Sequence, residues 1–257
     1  MNPQTILIYD GSFDGFLSSV FIIYEQKIVY PVIRRQQEMN NQLFTISETV
    51  YTDKIKAKRV WRGIKNKTSK SQQKIIFSAF LSEIKGVENT LFSYLKNMFK
   101  EEHSKLIDYS NKDILKISQV AKMVGREKHR MEAFVRFKKT KDDIFVATIE
   151  PDFNVLPLLI NHFQDRYADQ KWLIYDVKRA YGIFYNLHKV EIITLDFFSK
   201  QNTTVAKEHY TSDELEFQYL WKTYFDNVNI KSRKNAKLHI QHLPRRYWKY
   251  LIEKNNI

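Results

Sequence analysis

The 257-residue chain contains no cysteine. This absence excludes disulfides, thiolate zinc sites, cysteine-ligated iron–sulfur clusters and cysteine nucleophiles within the chain. Glycine and proline are also scarce, with six and five residues, which argues against a flexible linker to a second, freely tethered domain. No apolar run reaches the roughly 18 residues of a membrane-spanning helix, and no charged leader precedes the first apolar run, so we expect a cytoplasmic protein.

Acidic residues are the other class in short supply. There are 29 Asp and Glu against 42 Lys and Arg, and the net charge is +13. The excess is concentrated in residues 53–74, with nine basic and one acidic residue, and in residues 227–250, with seven basic and none acidic. Such charge favours a polyanionic partner, nucleic acid first and an acidic membrane surface second. The alternative is a solvated basic surface without a partner.

The chain is rich enough in apolar and aromatic residues, at 43% and 14%, to form a packed core. Between Phe134 and Leu195, alternating side chains predict a central sheet of about five strands, mostly antiparallel. Pro151 ends one of these strands, and a helix follows from about Val155 to Ala168. With many flanking helices, this pattern predicts the α+β class. The predicted strands are Phe134–Lys138, Phe145–Ile149, Trp172–Val177, Tyr181–Tyr185 and Lys189–Leu195.

At the amino end, Ile6–Tyr9 predicts a strand that leads through a tight turn into a helix. This strand either joins the central sheet or belongs to a separate lobe. Asp10 and Asp14 flank the turn, where Ser12 or Asp14 can cap the helix. The exposed N–H groups of a helix start can bind an anion, although two carboxylates repel phosphate unless a metal bridges them. The alternative is that both aspartates only cap and turn the chain.

A basic helix beginning near Asp53 is the first candidate phosphate-binding element. We expect Ile55, Val60, Trp61 and Ile64 to face inward, with Arg59 and Arg62 on the other side. Two further helices are predicted at Lys74–Ile84 and Val87–Lys100, with Gly86 as the cap between them.

Another helix is predicted at Asn111–Val124, ended by Gly125. The basic residues that follow it, Arg126, His129 and Arg130, precede a strand that has Arg136 and Lys138 on one face. We interpret this group as a phosphate-contacting patch in which His129 carries a proton, or as plain surface charge.

On the predicted middle helix, His162, Asp165 and Arg166 are three and four residues apart and therefore neighbours. They form either a site or an ion pair beside the core. We predict no metal site and no cofactor, since His239 and His242 lack a third ligand.

The carboxyl-terminal part contains a predicted helix capped by Asp213. We expect Phe217, Leu220, Trp221, Tyr224 and Phe225 on its buried side.

In the basic tail, Pro244 suits the first turn of a helix, which places Arg245 and Arg246 where the helix dipole disfavours cations. Either an internal carboxylate or a bound phosphate would face them, and we favour phosphate, with Arg233 as a further contact.

Three separated segments carry a resemblance to a known family. They are IYDGSFDGFLSSVFIIYE, IEPDFNVLPLLINHFQDRYADQKWLIYDVKRAYGIFY and LWKTYFDNVNIKSRKNAKLHIQHLPRRYW. Together they resemble the "probable DNA metabolism protein" family, a domain of unknown function. The resemblance implies a gene beside a radical-SAM-type protein of DNA modification or repair. A similar domain is fused in some bacteria to a uracil-DNA glycosylase-like domain.

We expect two regions, residues 1–125 and residues 126–257, that together form one compact unit. Three hypotheses follow for the function of the chain. The first is a DNA-binding accessory protein that delivers substrate to a radical-SAM-type partner. The second is an enzyme that acts on DNA itself, as a hydrolase or lyase at a damaged nucleotide, with candidate acid–base groups Asp10, Asp14, His129, His162 and Asp165. The third is a protein-interaction subunit whose basic charge is incidental.

Overall fold

The computed structural model describes residues 4–38, 46–100, 110–194, 210–228 and 240–254. The chain divides into two compact units, unit 1 with residues 1–124 and unit 2 with residues 125–257, and each has its own sheet. None of the helices in these described ranges combines the length and the apolar character that a bilayer-spanning segment needs.

Unit 1 is built on a three-stranded parallel sheet. Its strands are β1 (Thr5–Tyr9), β2 (Pro31–Arg35) and β3 (Ile46–Thr49), in the order β2-β1-β3. The central strand β1 buries every residue from Ile6 onward, which is typical of a strand covered on both faces. The helix α1 (Phe13–Glu25) connects β1 to β2, as a parallel pairing requires. The amino-terminal strand therefore belongs to this three-stranded sheet and not to the predicted central sheet.

Three further helices of unit 1 are α2 (Lys54–Lys67), α3 (Lys70–Phe80) and α4 (Val87–Lys100). Asp53 caps α2 as predicted, because its carboxylate accepts hydrogen bonds from two backbone N–H groups of the first turn. Ile55, however, was expected in the core and is 82% exposed.

The start of α3 and the role of Gly86 differ from prediction. Ser69 and Gln72 form a capping box, so α3 begins four residues before the expected Lys74. The cap at the other end of α3 is Leu81. Gly86 instead takes a φ of 80° directly before α4, a conformation that favours glycine.

One long helix, α5 (Lys112–Phe134), runs through the predicted stop at Gly125 and ends at the first residue of the strand that was expected next. Buried positions continue at helical spacing through Val124, Glu127 and Met131. A glycine inside a helix costs only about 1 kcal/mol relative to alanine, which is too little to end a helix with a continuous buried side. The strand expected from Phe134 to Lys138 is therefore shorter and later than predicted, and covers only Lys138 and Lys139.

Unit 2 contains the predicted five-stranded sheet, in the order β4-β5-β6-β7-β8. Three of its pairings are antiparallel, and β5–β6 is parallel, with α6 (Leu156–Arg166) as the crossover helix. The α+β class and the mostly antiparallel central sheet are confirmed. The strands are β4 (Lys138–Lys139), β5 (Phe145–Ile149), β6 (Trp172–Asp176), β7 (Tyr181–Tyr185) and β8 (Val190–Ile193).

The last helix, α7 (Ser212–Val228), presents apolar side chains to solvent. Phe217, Leu220 and Trp221 are 65%, 52% and 41% exposed, so their predicted burial is wrong. The backbone N–H of Glu214 donates to the Thr211 hydroxyl, which takes the capping role expected of Asp213. The side chains of Tyr224 and Phe225 are outside the part of the chain that the structure describes.

The tail of unit 2 contains two 3-10 helices, Arg245–Tyr250 and Ile252–Lys254. Pro244 is the N-cap residue of the first, close to its predicted place at the helix start. Leu243, Tyr247 and Leu251 are buried, so the tail contributes to the core of unit 2.

Candidate nucleic-acid interface

The segment formed by α2 and α3 is the most uniformly charged part of the chain. From the start of α2 to the end of α3 there are nine Lys and Arg residues and no Asp or Glu. The helix α2 buries Ala57 and Ile64 on one side, which leaves its basic side chains toward solvent. The nine cations are Lys54, Lys56, Lys58, Arg59, Arg62, Lys65, Lys67, Lys70 and Lys74.

Four of these cations form a line that we call the α2 stripe: Lys54, Lys58, Arg62 and Lys65. Their spacings of four, four and three residues place them within about 80° of the helix circumference and along about 16 Å of its axis. All four are exposed. No carboxylate of the described residues forms an ion pair with any of them. Within the described part of the chain, the stripe is thus positive charge without a counterion.

The other cations of α2 have partners within unit 1. Lys56 pairs with Glu25 at 2.8 Å. The Arg59 guanidinium lies over the Phe21 ring, 5.7 Å from its centre. Lys67 donates to the Phe99 carbonyl oxygen at 3.0 Å. Of the two arginines predicted to contact phosphate here, Arg62 belongs to the stripe and Arg59 lies beside it.

Two large exposed side chains stand at the amino end of α2. Tyr51 is 84% exposed and Ile55 is 82% exposed. An exposed aromatic ring beside a row of cations is the combination that single-strand-binding proteins use, since the ring stacks on a base and the cations contact phosphates. Sequence reasoning missed Tyr51, and only its position directly before a basic helix could have signalled it.

The Asp10 turn follows β1 and is closed by hydrogen bonds. One carboxylate oxygen of Asp10 accepts from the Ser12 N–H at 2.9 Å and the Ser12 hydroxyl at 2.7 Å, and the other accepts from the Thr52 hydroxyl at 2.7 Å. Burial acts to raise the pKa of Asp10, but these hydrogen bonds outweigh it and hold the pKa below its usual value. Asp10 thereby ties the start of α1 to the segment before α2.

Asp14 is exposed in the first turn of α1, where a negative charge suits the helix dipole. Ser12 supplies the cap, since its hydroxyl accepts from the Gly15 N–H at 2.9 Å. Among the described residues no three His, Asp or Glu side chains are grouped closely enough to hold a metal ion.

In unit 2 the two candidate histidines approach one carboxylate. The His129 Nδ1 lies 3.8 Å from Glu132, and the His162 Nδ1 lies 3.7 Å from the other oxygen of Glu132. Lys128 also pairs with Glu132. Asp165, which was expected beside His162, is exposed. The structure thus brings His129 and His162 to the same group, Glu132, which sequence reasoning had not singled out.

The tail arginines differ from each other in their surroundings. Arg246 pairs with Asp152 at 2.7 Å and with Glu127 at 3.4 Å, so internal carboxylates face it. Arg245 is exposed, and its guanidinium lies over the Trp248 ring, 5.8 Å from the centre.

Glu127 is the centre of this tail contact. It is 1% exposed and accepts from the backbone N–H groups of Asp152 and Phe153 at 2.9 and 3.1 Å. The Tyr247 hydroxyl donates to the same carboxylate, and burial beside Glu127 raises the pKa of Tyr247. The charge of Arg246 is therefore used to compensate a buried carboxylate.

The remaining predicted contacts of unit 2 are mostly engaged within the unit. Arg136 pairs with Glu253 at 2.9 Å, and Arg130 donates to the Gln241 carbonyl at 3.4 Å. The Lys138 ammonium lies 5.4 Å from the centre of the Tyr210 ring. Arg126 is exposed. Arg233 lies outside the described residues.

A family model for a domain of unknown function, DUF4130, matches residues 85–253, which is more than half of the chain. The chain belongs to the DUF4130 family. The matched residues include α4, α5 and the described elements of unit 2 up to residue 253. The α2 stripe precedes the DUF4130 match. A comparison with curated proteins found no significant match.

Among solved structures, the DUF4130 chain is similar to a pGpG-specific phosphodiesterase, PggH from Vibrio cholerae, at 8% sequence identity. The similarity covers 70% of this chain and 80% of that chain, with a TM-score of 0.31. A similarity of this size supports no conclusion about fold or function.

Proposed function

We propose that this chain is a DNA-binding accessory protein that acts in DNA repair or modification and delivers substrate to a partner enzyme. The observation that carries the proposal is the α2 stripe, four exposed cations that have no carboxylate partner among the described residues. Along about 16 Å of axis, one strand of a DNA duplex presents about five phosphates. The stripe therefore matches a row of phosphates in both length and charge.

The resemblance to DNA metabolism proteins supports DNA as the polyanion and a radical-SAM-type protein as the partner. Because this chain has no cysteine, an iron–sulfur cluster of that partner would be held entirely by the partner's own thiolates. The role proposed for this chain is to hold nucleic acid. The chemistry would then occur on the partner.

The test is fluorescence anisotropy with labelled single-stranded, duplex and uracil-containing DNA. The variant Lys58→Gln/Arg62→Gln removes two charges from the middle of the stripe. Its matched control, Lys116→Gln/Lys122→Gln, removes two exposed charges from α5 that are not candidate contacts. We expect the stripe variant to bind DNA at least about tenfold more weakly, because contacts to phosphate dominate affinity, and the control to bind almost as well as wild type.

The same assay separates the alternatives. Equal losses in both variants would mean that affinity follows net charge and that the stripe is not the interface. If wild-type protein bound no DNA at about 0.1 M salt, an interaction subunit with incidental charge would be favoured. Co-purification with the radical-SAM-type partner in high salt would then be the deciding measurement.

A second candidate function is catalysis on DNA by this chain, of hydrolase or lyase type at a damaged nucleotide. The observation that favours it is Glu132, which lies within 3.8 Å of the Nδ1 atoms of both His129 and His162. A carboxylate beside two imidazoles can relay a proton between them. Loss of cleavage of uracil-containing or abasic DNA in His162→Gln, with DNA binding intact, would support catalysis. Absence of cleavage by wild-type protein would refute it.

A further inference from the structure

Unit 1 contains a pocket of about 210 Å³, lined by residues from the end of α1, the start of β2 and α4, which we call the α1 pocket. It is smaller than the roughly 300–1,000 Å³ that is typical of sites for whole small molecules. A space of this size suits one large side chain of a partner, the kind of contact that anchors protein interfaces. The walls are Ile23, Tyr24, Ile28, Pro31 and Phe92.

The chemistry of these walls limits what can fill the α1 pocket. Apart from the Tyr24 hydroxyl, none of the five wall side chains carries a hydrogen-bonding group. A nucleobase has donors and acceptors on its edges, and leaving such groups unpaired in an apolar site is costly. An aliphatic or aromatic side chain gains from burial and has no such group to leave unpaired. The walls therefore favour an apolar side chain.

Two lysines complete the lining and give the α1 pocket a positive rim. Lys27 follows α1, Lys96 belongs to α4, and both are exposed. Neither forms an ion pair with a carboxylate of the described residues, because the acidic groups near the end of α1 have other partners. Glu25 pairs with Lys56 at 2.8 Å, and Glu48 accepts a hydrogen bond at 3.4 Å from the residue before Lys27. The rim thus suits an apolar group that has negative charge beside it.

The backbone holds Lys27 in a conformation that is usually left to glycine. Its φ is 53°, and the N–H of Ile28 donates to the Ile23 carbonyl oxygen at 3.0 Å, which is the Schellman form of a helix end. Glycine is the most common residue at this position, because other residues are strained there. A cation at this place is also attracted by the negative end of the α1 dipole, so its effects on stability and on binding have to be measured separately.

The apolar surface continues beyond the α1 pocket. Val29 and Tyr30, which lie in the chain between two of the wall residues, are 61% and 56% exposed. Tyr24 itself is 47% exposed. A small carboxylate that filled the pocket would leave these side chains in water, whereas a polypeptide segment can cover them.

We propose that the α1 pocket docks an acidic segment of a partner protein, which places one large apolar side chain against Tyr24 and Phe92 and its carboxylates on Lys27 and Lys96. Three observations select this partner: the apolar walls, the two cations without a carboxylate partner in the described chain, and the exposed apolar surface beside them. The proposal goes beyond DNA binding by the α2 stripe and does not depend on it.

The experiment is fluorescence anisotropy of the full chain with fluorescein-labelled peptides in which two aspartates precede and two follow a central phenylalanine, leucine or tryptophan. We expect at least one of these peptides to bind. Alanine in place of its central residue should weaken binding roughly fivefold or more, because the side chain that fills a pocket supplies most of the binding energy. Asparagine in place of the aspartates should weaken it roughly fivefold, through loss of the contacts with the two lysines.

The matching changes in the protein are made at the two lysines. Lys27→Gln/Lys96→Gln should weaken peptide binding roughly fivefold, whereas Lys116→Gln/Lys122→Gln, which removes two exposed lysine charges from α5, should bind like wild type. Lys27→Gly separates the charge from the backbone strain. We expect it to bind the peptide more weakly with an unchanged or higher melting temperature, because glycine accepts a positive φ without strain.

Several outcomes overturn the proposal. They are peptide binding by Lys27→Gly as tight as by wild type, equal losses in the two double variants, equal binding of the alanine-centred peptide, and no binding of any acidic peptide. If Lys27→Gln/Lys96→Gln weakened binding of single-stranded DNA as much as binding of the peptide, the occupant would be nucleic acid and the proposal would also fail. Peptide and DNA are measured separately, so a failure of the DNA-binding function leaves this test intact.

Discussion

At the scale of single residues, Gly15 lies where α1 begins against the Asp10 turn. A Cβ at this position would lie 2.3 Å from the Asp10 carboxylate and 2.8 Å from the Thr52 hydroxyl. We expect Gly15→Ala to lower the free energy of unfolding by about 1–3 kcal/mol, because one of these hydrogen-bonded groups must move. Urea denaturation followed by circular dichroism measures the change.

Gly125 provides the opposite case as a control. It lies in the middle of α5, and a Cβ there would meet no atom within 4 Å. Gly125→Ala should raise the free energy of unfolding by about 0.5–1 kcal/mol, since alanine is the better helix residue. Stabilisation by both substitutions would contradict the close packing described for Gly15.

Glu150 makes stability depend on pH at the end of β5. Hydrogen bonds from Lys249 and then from Tyr250 lower the pKa of Glu150 from its ordinary value of 4.5. A carboxylate with a lowered folded-state pKa stabilises the protein above its unfolded-state pKa, and this contribution is lost as the pH falls through the folded-state pKa. The pair is partly exposed, so the contribution is below about 1 kcal/mol.

The corresponding prediction is that Glu150→Gln destabilises the protein slightly at neutral pH and that the difference from wild type shrinks steadily as the pH falls below 4.5. Urea denaturation at neutral pH and at a series of acidic pH values measures it. Glu216→Gln, at an exposed position of α7, serves as the control and should match wild type at all of them. If Glu150→Gln destabilised the protein equally at acidic pH, the cause would be lost packing and not the lost charge.

At the scale of elements, α2 and α5 show what sequence periodicity can and cannot predict. The basic side and the Asp53 cap of α2 were predictable, because cap and charges are local in the sequence. The extent of α5 was not, because Glu127 occupies one of its buried positions. A buried carboxylate breaks the apolar pattern, and its hydrogen-bond partners come from the segment after β5 and from the tail.

The exposed ring before α2 leads to a prediction for that element. Tyr51→Ala should weaken binding of single-stranded DNA by roughly 1–3 kcal/mol, the usual loss for a stacked base, and weaken duplex binding much less, since bases in a duplex are already stacked. Fluorescence anisotropy with both DNA forms measures the two effects. Tyr30→Ala, at another exposed tyrosine of unit 1, is the control and should bind like wild type. Equal losses for both DNA forms would assign Tyr51 a structural role.

At the scale of the whole molecule, the net charge of +13 predicted a polyanionic partner but not the surface that meets it. The reason is that pairing is decided over long sequence distances. Arg246 and Glu127 are 119 residues apart, and Arg136 and Glu253 are 117 apart. These contacts neutralise arginines that the sequence suggested were available to bind phosphate. The α2 stripe is unpaired in the structure, as the sequence also indicates, because no carboxylate occurs within α2 or α3. The exposure of the apolar side chains of α7 was not predictable either, because their composition is that of a buried helix side.

The salt dependence of duplex binding distinguishes a defined interface from attraction by net charge. Only cations that contact phosphates release counterions, and each contributes about −0.9 to the slope of log K against log salt concentration. If the four cations of the α2 stripe supply the contacts, the slope is about −3.6, and it is reduced to about −1.8 in Lys58→Gln/Arg62→Gln. Anisotropy titrations at several salt concentrations measure both slopes. A wild-type slope far steeper than this, unchanged in the variant, would assign the DNA contacts to cations outside the stripe.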